Sequence, residues 1–480
     1  MFEKGGFDVV IGNPPYVRAD SPGNLLSFRE HMVSNGKYQT LKGKWDLYIP
    51  FVELSINLIK AKGYSSLIIP DAYCHADYST KSLEIYKKNN FLERIDYYPN
   101  IEVFENVGVK SVIVSFVKNK GNSNFITRVH KEDSTYVENI LDKYPKSFRL
   151  DSKNSLIENV KNSVQINDAL YLSKGIVGNS CEKKYKGEFK VGDLLSIDKN
   201  EEHSKLYYEG KNINKWNLDS ERWIEYNTER SPKKWSRKGF SEFFEANKIV
   251  VMRSPGKNPR AFLDSQQGIF NESAIGFVRW CDLKGVDNKS ISKSYKDGKE
   301  RLKFEQLSES LSLDYLIAIM NSKLIKYELN ADRRSNIHIY PDDWRKIKIV
   351  LSDKQRQLPY MNLVGNIREN TNNLNSLNEK FAKYLNVNLT LGDLPKKLQN
   401  WHELDFSEFI NELNKAIKKV SGEKLTKTDE MDWMDVFETK KAEAQTLKTE
   451  IDKTDTEIDQ MVYALYGLSE EEIKIVEGSN

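Results

Sequence analysis

Residues 5–17, GGFDVVIGNPPYV, govern how the rest of the chain is read. Phe7–Gly12 is an apolar run closed by glycine, the pattern of a buried strand with a turn at its carboxyl end. The loop that follows, Asn13-Pro14-Pro15-Tyr16, is stiff. Two consecutive prolines fix φ and remove two backbone donors, leaving carbonyl acceptors with nothing local to pair them. An asparagine oxygen beside such a carbonyl presents two acceptors converging on one point, which suits an exocyclic amino group. Tyr16 adds a flat face on which a heterocycle can stack. In open parallel sheets ligands bind beyond the carboxyl ends of strands, which is where this loop falls.

Outward from that loop, strand and helix patterns alternate. Trp45–Lys60 carries Leu47, Tyr48, Phe51, Val52, Leu54, Leu58 and Ile59 at helical spacing, with Gly63 as its stop. Ser65–Pro70 (SSLIIP) reads as a second strand, Ser79–Asn89 as a helix, Leu92–Tyr98 as a third strand and Ser111–Val117 (SVIVSFV) as a fourth. This order predicts an α/β domain over 1–125, a parallel sheet with helical crossovers and an antiparallel hairpin at its far edge. Residues 126–165 have weak patterning and read as a linker. Residues 166–352 mix short apolar runs with glycines and aromatics, as in IVVMRSPGKNPRAFLD, and predict a β-rich α+β domain. Residues 353–480 turn helical, through Leu358, Met361, Val364, Ile367, Leu374, Leu377 and Phe381, then Leu447, Ile451, Ile458, Val462 and Leu465.

With 480 residues, 39% apolar and 30% charged, the composition is that of a soluble chain of several domains. No apolar run reaches the roughly 18 residues of a membrane span, so no membrane partner is expected. No secretory signal pattern opens the chain. Cys74, Cys181 and Cys281 are far apart and make neither a zinc nor a disulfide spacing; no metal site is read, and a reducing cytoplasm is the expected location. The net charge of +3 conceals an uneven distribution. Between Glu229 and Arg260 nine basic residues face three acidic ones, whereas Ser421–Asn480 holds 16 acidic and seven basic. Lys233, Lys234 and Arg237 cluster, Arg253, Lys257 and Arg260 flank a Gly/Pro loop, and Arg333 and Arg334 precede Asn336 and His338. Such loop cations suit phosphate contacts and base edges, which makes double-stranded DNA the expected partner.

The stretch GGFDVVIGNPPYV resembles the catalytic motif of amino-group DNA methyltransferases of the adenine-N6 type. Its continuation is similar to the TaqI-like and Eco57I-like group, which includes fused, type IIG-like restriction–modification proteins. LKGKWDLYIPFVE resembles the helix after the catalytic loop, GYSSLIIPDAY the next strand, and IEVFENVGVKSVIVSF the segment that closes the target-base pocket. YYEGKNINKW resembles the opening of a TaqI-like specificity domain; YLIAIMNSKLIKY, IYPDDWRKIKI, WHELDFSEFINEL and EIDQMVYALYGLSEEEI carry the likeness onward. The resemblance implies an incomplete class I methyltransferase-like sheet, then a target-recognition domain over 166–352 and a helical C-terminal region over 353–480.

It also implies roles. The Asn13 side chain and the Pro14 carbonyl would accept hydrogen bonds from the adenine amino group, drawing the nitrogen lone pair toward the incoming methyl. Tyr16 would stack on the base flipped out of the duplex, with Phe104 on its far side. Pro15, Leu47 and Phe51 would border the S-adenosylmethionine site. In this family the glycine loop and acidic residues that hold the cofactor precede the catalytic motif. Here the motif begins at residue 13 and no GxG-type loop appears elsewhere, so the cofactor site is expected to be completed by a polypeptide carrying an N-terminal half. Phe7–Gly12 is then a central strand whose partners on one side come from that polypeptide. The alternatives are a DNA-specificity subunit or truncated remnant that binds DNA without transferring a methyl group, and transfer to cytosine N4 or RNA.

Overall fold

Phe7–Gly12 is strand β1, and the chain around it builds the alternation that the sequence predicts as far as residue 98. The computed structural model describes residues 5–18, 25–99, 101–104, 109–118, 124–144, 155–256, 258–331, 338–420 and 423–478. These fall into two compact units, Met1–Asn154 and Ser155–Asn480. No described helix is long and apolar enough to cross a membrane.

In the first unit α1 (Leu25–Ser34) and α2 (Tyr48–Leu58) lead into β2 (Ile59–Pro70), followed by α3 (Thr80–Lys88), β3 (Leu92–Tyr98), β4 (Ser111–Val117), β5 (Phe125–His130) and β6 (Tyr136–Leu141). The sheet order is β1-β2-β4-β3-β5-β6. β1 pairs with β2 and β3 with β5 in parallel, while β4 lies antiparallel between β2 and β3 and β6 runs antiparallel at the far edge. The expected parallel sheet is therefore a mixed one. The predicted hairpin partner at the edge is β6, but β4 inserts between two parallel strands instead of extending them.

Two further expectations change. Gly63 does not stop a helix: the chain is extended from Ile59 onward, and Gly63 lies inside β2. A Cβ there would meet the Lys60 and Phe7 carbonyl oxygens at 2.9 Å, so the residue is needed for the close approach of β1 to β2. The stretch read as a linker contains β6 and most of β5, both joined to the sheet. β6 has an exposed pattern along most of its length, which is why no apolar period announced it.

Helices α2 and α3 cover one face. Val52, Ile56, Leu83 and Tyr86 pack with Leu67, Ile69, Ile95, Tyr97, Val112, Val114 and Phe116. The side chains that alternate to the other face are open at β1, where Val9 is 57% and Ile11 79% exposed. Among the described residues β1 is also an edge of the sheet.

The second unit centres on an antiparallel sheet in the order Ala261–Asp264, Lys248–Met252, Ala274–Arg279, Leu170–Lys174. Alternate side chains enter two cores. Leu170, Leu172, Ile249, Val251, Ile275 and Phe277 join helices Leu313–Met320 and Lys323–Ala331. Tyr171, Val250, Phe262, Ala274 and Val278 join Tyr207, Tyr208, Phe243 and Phe270. The helical C-terminal region is continuous with the first core. Helices Lys354–Leu389 and Lys427–Tyr466 run antiparallel, Val364 and Ile367 meeting Ile458 and Val462 at one end, Leu377 and Phe381 meeting Phe437 and Ala444 at the other. Leu358, expected on the buried stripe, is exposed; Tyr360 takes that place, its hydroxyl donating to the Met461 carbonyl at 3.0 Å.

Candidate functional site

β1 delivers residues 13–16 to the carboxyl end of its sheet. β2 ends there at Pro70, which pairs with Ser111 at the start of β4, and Ser111 pairs in turn with Tyr98 at the end of β3. Mixed direction thus brings three strand ends and the Asn13–Tyr16 loop to one rim. Beyond β3, Phe104 meets Tyr16 edge to face, with ring centroids 6.2 Å apart and planes at 79°. The two residues to which the resemblance assigns the target base are in contact.

Asn13 is exposed and Pro14 buried. Neither the Asn13 side chain nor the Pro14 carbonyl has a hydrogen-bond partner among the described residues. The Tyr16 hydroxyl and Ser111 Oγ are both buried without a hydrogen-bond partner among the described residues. Burial pushes the Tyr16 phenol pKa up, and the nearby Ser111 hydroxyl partly offsets this. His75 lies on the same rim after Pro70, its Nε2 3.7 Å from Asp71, which also accepts the Tyr97 hydroxyl at 3.2 Å.

The loop is held from behind by groups the sequence did not single out. The Val17 carbonyl accepts from the Leu47 amide at 2.9 Å and from the Arg29 guanidinium at 3.4 Å. Arg29, nearly buried, also donates to the Trp45 carbonyl and lies 4.7 Å from the Trp45 ring centroid. Glu53 accepts from the Gln39 and Thr40 amides, each at 2.9 Å, and from the Thr40 hydroxyl at 2.7 Å, which ties the approach to α2 down on that helix. The available signal was a carboxylate between apolar neighbours in YIPFVELSINL.

Pro15, Leu47 and Phe51 present apolar surface. Pro15 is exposed, Leu47 half-buried, and Phe51, four residues on from Leu47 and so on the same helical side, is 41% exposed. An apolar strip next to the motif loop fits the border of a purine pocket.

The cations of the second unit separate into groups. Lys234 pairs with Glu188 at 2.7 Å, and Arg260 donates to Asn214 at 2.9 Å. Lys233 is exposed. Arg237 and Arg253 come together, joined by Lys174, which the sequence reading missed because nothing local marks a lysine at a strand end. Lys257, Arg333 and Arg334 lie outside the described residues.

Comparison with known proteins bears out the resemblance in the first unit. Residues 1–104 match the family described as Eco57I restriction-modification methylase, and residues 352–462, the antiparallel helix pair, match a domain of unknown function (DUF8810). The chain is 29% identical over 119 residues to the type II restriction enzyme and methyltransferase RM.Eco57I of Escherichia coli, covering 25% of this chain and 12% of that protein. A putative type II restriction enzyme and methyltransferase of Methanocaldococcus jannaschii is 23% identical over 452 residues, covering 87% of this chain and 33% of that one. The type II methyltransferase M.PaeR7I of Pseudomonas aeruginosa is 40% identical over 71 residues, 15% of this chain and 12% of its own length. The chain thus spans a third or less of these relatives. Among solved structures, the type IIL restriction-modification enzyme MmeI in complex with DNA is similar at a TM-score of 0.44 and 10% identity, covering 91% of this chain and 57% of that one.

Proposed function

We propose that this chain carries the catalytic loop and DNA-recognition parts of an adenine-N6 DNA methyltransferase of a restriction–modification system that uses S-adenosylmethionine. The observation that carries this reading is the rim of the first sheet: an Asn13 side chain and a Pro14 carbonyl unpaired among the described residues, and Tyr16 and Phe104 in edge contact.

The chemistry follows from those groups. An adenine amino group is paired inside a duplex, so the base must leave the stack to be modified. Asn13 Oδ1 and the Pro14 carbonyl accept its two N–H bonds, which makes the nitrogen lone pair available for attack. Tyr16 and Phe104 hold the ring, and the anchored Val17 fixes the bracket before the base arrives, so that orientation is prepared in advance. Pro15, Leu47 and Phe51 border the cofactor, which supplies an electrophilic methyl carbon when bound. No side-chain base is needed, because the amino proton becomes acidic once the new bond forms and leaves to solvent. The open apolar side chains and strand edge of β1 among the described residues are a surface on which further protein would pack. The basic loops of the second unit would contact the duplex.

The test uses labelled S-adenosylmethionine and adenine-containing duplex DNA, with the chain alone and with added protein carrying a glycine-loop cofactor segment. Label should enter N6-methyladenine once the cofactor is bound, and Asn13→Ala should lower that transfer by about a hundredfold or more while leaving DNA binding intact. Label in N4-methylcytosine would overturn the adenine assignment. DNA binding with no transfer in any combination would leave a specificity subunit in its place.

A further inference from the structure

Three segments of the second unit bring like charges together, two of them at one ring. Lys174 ends the strand Leu170–Lys174, where it pairs with Ile275. Arg253 follows Met252, whose partner is Ala274, and its amide donates to the Ser273 carbonyl at 2.9 Å. Both cations therefore flank the start of the same central strand. Arg237, from a strand pair formed with Val177–Ser180, donates to the carbonyl of Gly175, the neighbour of Lys174. The Ile339 amide donates to the Arg253 carbonyl at 2.7 Å and so sets Tyr340 beside both. Lys174 Nζ lies 5.7 Å and Arg253 Cζ 5.2 Å from the Tyr340 ring centroid.

This grouping is electrostatically unfavourable without an anion. Burial, then Arg253 and Arg237, hold the Lys174 ammonium below its ordinary pKa; burial, with Arg253 adding to it, does the same to Arg237. The carboxylates that oppose the cluster are Glu272 and Asp342, and Asp342 is already engaged by Arg345. Neither Lys174 nor Arg253 forms an ion pair among the described residues. Arg253 Nε is buried with no hydrogen-bond partner among the described residues, a donor left unspent. Two guanidinium forks and a point-charge ammonium match the several acceptor oxygens of a phosphate.

We propose that Lys174 and Arg253, gathered on Tyr340, form with Arg237 on the neighbouring Gly175 carbonyl a binding site for a backbone phosphodiester of DNA. The site fixes the register of the second unit on the duplex and reads no base. Its assignment to DNA rests on the recognition role proposed above; the anion site itself does not.

Two measurements on the full chain test the two parts separately. The first is thermal unfolding with inorganic phosphate against sodium chloride at equal ionic strength. Tm should rise with phosphate, and the rise should vanish in Lys174→Gln and in Arg253→Gln, each of which relieves repulsion and keeps the fold. If Lys174→Gln lowers Tm without phosphate, Lys174→Met, which keeps the stem over Tyr340, replaces it. The second is duplex binding as a function of salt. Each substitution should weaken binding to unrelated sequences equally and reduce the slope of log K against log salt by about 1. A phosphate-specific rise lost in the variants, with no duplex bound by the parent, would keep the anion site and remove its DNA assignment. Duplex binding with no phosphate rise and unchanged slopes would overturn the site while the DNA reading stands. Weakening confined to certain sequences would overturn the phosphodiester assignment in favour of a base contact.

Discussion

FDVVIG at Phe7–Gly12 and AIGFVR at Ala274–Arg279 are both apolar runs, and both are strands, yet they occupy opposite environments. Ala274–Arg279 has a bonded neighbour on each side and sends Ile275 and Phe277 into one core and Ala274 and Val278 into another. β1 has β2 on one side, and Val9 and Ile11 face outward. An apolar run reports that a strand is suited to burial on both faces; it does not report which neighbours bury it. The second unit carries its own cover for such a strand. In the first unit the same kind of surface is left open beside the loop that the family resemblance places at the reaction centre.

The largest expected effect follows directly from this contrast. Phe277 is fully buried between the sheet and its helices, with its ring 5.2 Å from that of Trp344. Phe277→Ala should cost about 3–5 kcal/mol in urea unfolding of the full chain. Ile11→Ala removes a side chain that already faces outward and should change stability by no more than about 0.5 kcal/mol. Similar losses in the two variants would mean that β1 is buried in solution.

A second pair of residues sharpens the comparison with charge. Lys248 and Asp264 face each other across adjacent strands, 2.8 Å apart and essentially inaccessible, with Tyr208 donating to the same carboxylate at 2.8 Å. Burial lowers the Lys248 ammonium pKa although Asp264 opposes the shift. Lys248→Met leaves the carboxylate buried without its counter-charge and should cost about 3 kcal/mol, the lower end for a broken buried pair because Tyr208 and the Gln266 and Gly268 amides still donate. Asp8 and Lys60 make the equivalent contact across β1 and β2, but in the open. Asp8→Ala should move the unfolding midpoint only slightly, because water and salt screen the pair. A midpoint shift in Asp8→Ala matching that of Lys248→Met would remove the distinction.

What could be read in the sequence divides along the same line. Asn13, Pro14 and Tyr16 are legible because proline and glycine chemistry is local, and Phe104 because its flanking residues resemble a known segment. Four of the six strands of the first unit are legible where apolar residues recur; β5 and β6 fall in the stretch read as a linker, and β6 is hidden because an exposed edge strand need not alternate. The position of β4 between β2 and β3 depends on pairing partners that no local pattern specifies. Arg29 supports the end of the motif loop, and Glu53 the approach to α2, through contacts 12 to 16 residues away. Lys174 and Tyr340 are remote from Arg253 in the chain and adjacent only because strand ends and one backbone bond at Ile339 bring them together. Charge clustering along the chain singled out Lys234 and Arg260, which the fold instead engages with Glu188 and Asn214.

The smallest effect carries the most specific sign. Asp8 and Asp459 each stand beside a lysine, Lys60 and Lys323, yet their acid groups shift in opposite directions. Burial raises the Asp459 pKa, with the Lys323 amide pulling the other way; the Lys60 contact lowers that of Asp8. A raised carboxyl pKa means that the folded state holds the proton longer than the unfolded chain. Its stabilising contribution is present below the unfolded value of about 3.9 and is lost as pH rises through the folded value. Relative to its parent, Asp459→Asn should therefore gain stability as pH is raised from about 4 toward neutrality. Its Oδ1 can keep the bond from the Lys323 amide, 2.7 Å in the parent, so the trend isolates the charge. Asp8 obeys the reverse rule: its contribution is present above the unfolded pKa and lost as pH falls through the folded one, so Asp8→Asn should lose ground against the parent as pH rises from below about 4 to just above it, by a smaller amount because water and salt screen the pair. Unfolding midpoints measured across both pH ranges, variant against parent, give two slopes. Opposite signs are required if burial controls one carboxylate and an open ion pair the other, and slopes of the same sign would show that the two aspartates share an environment.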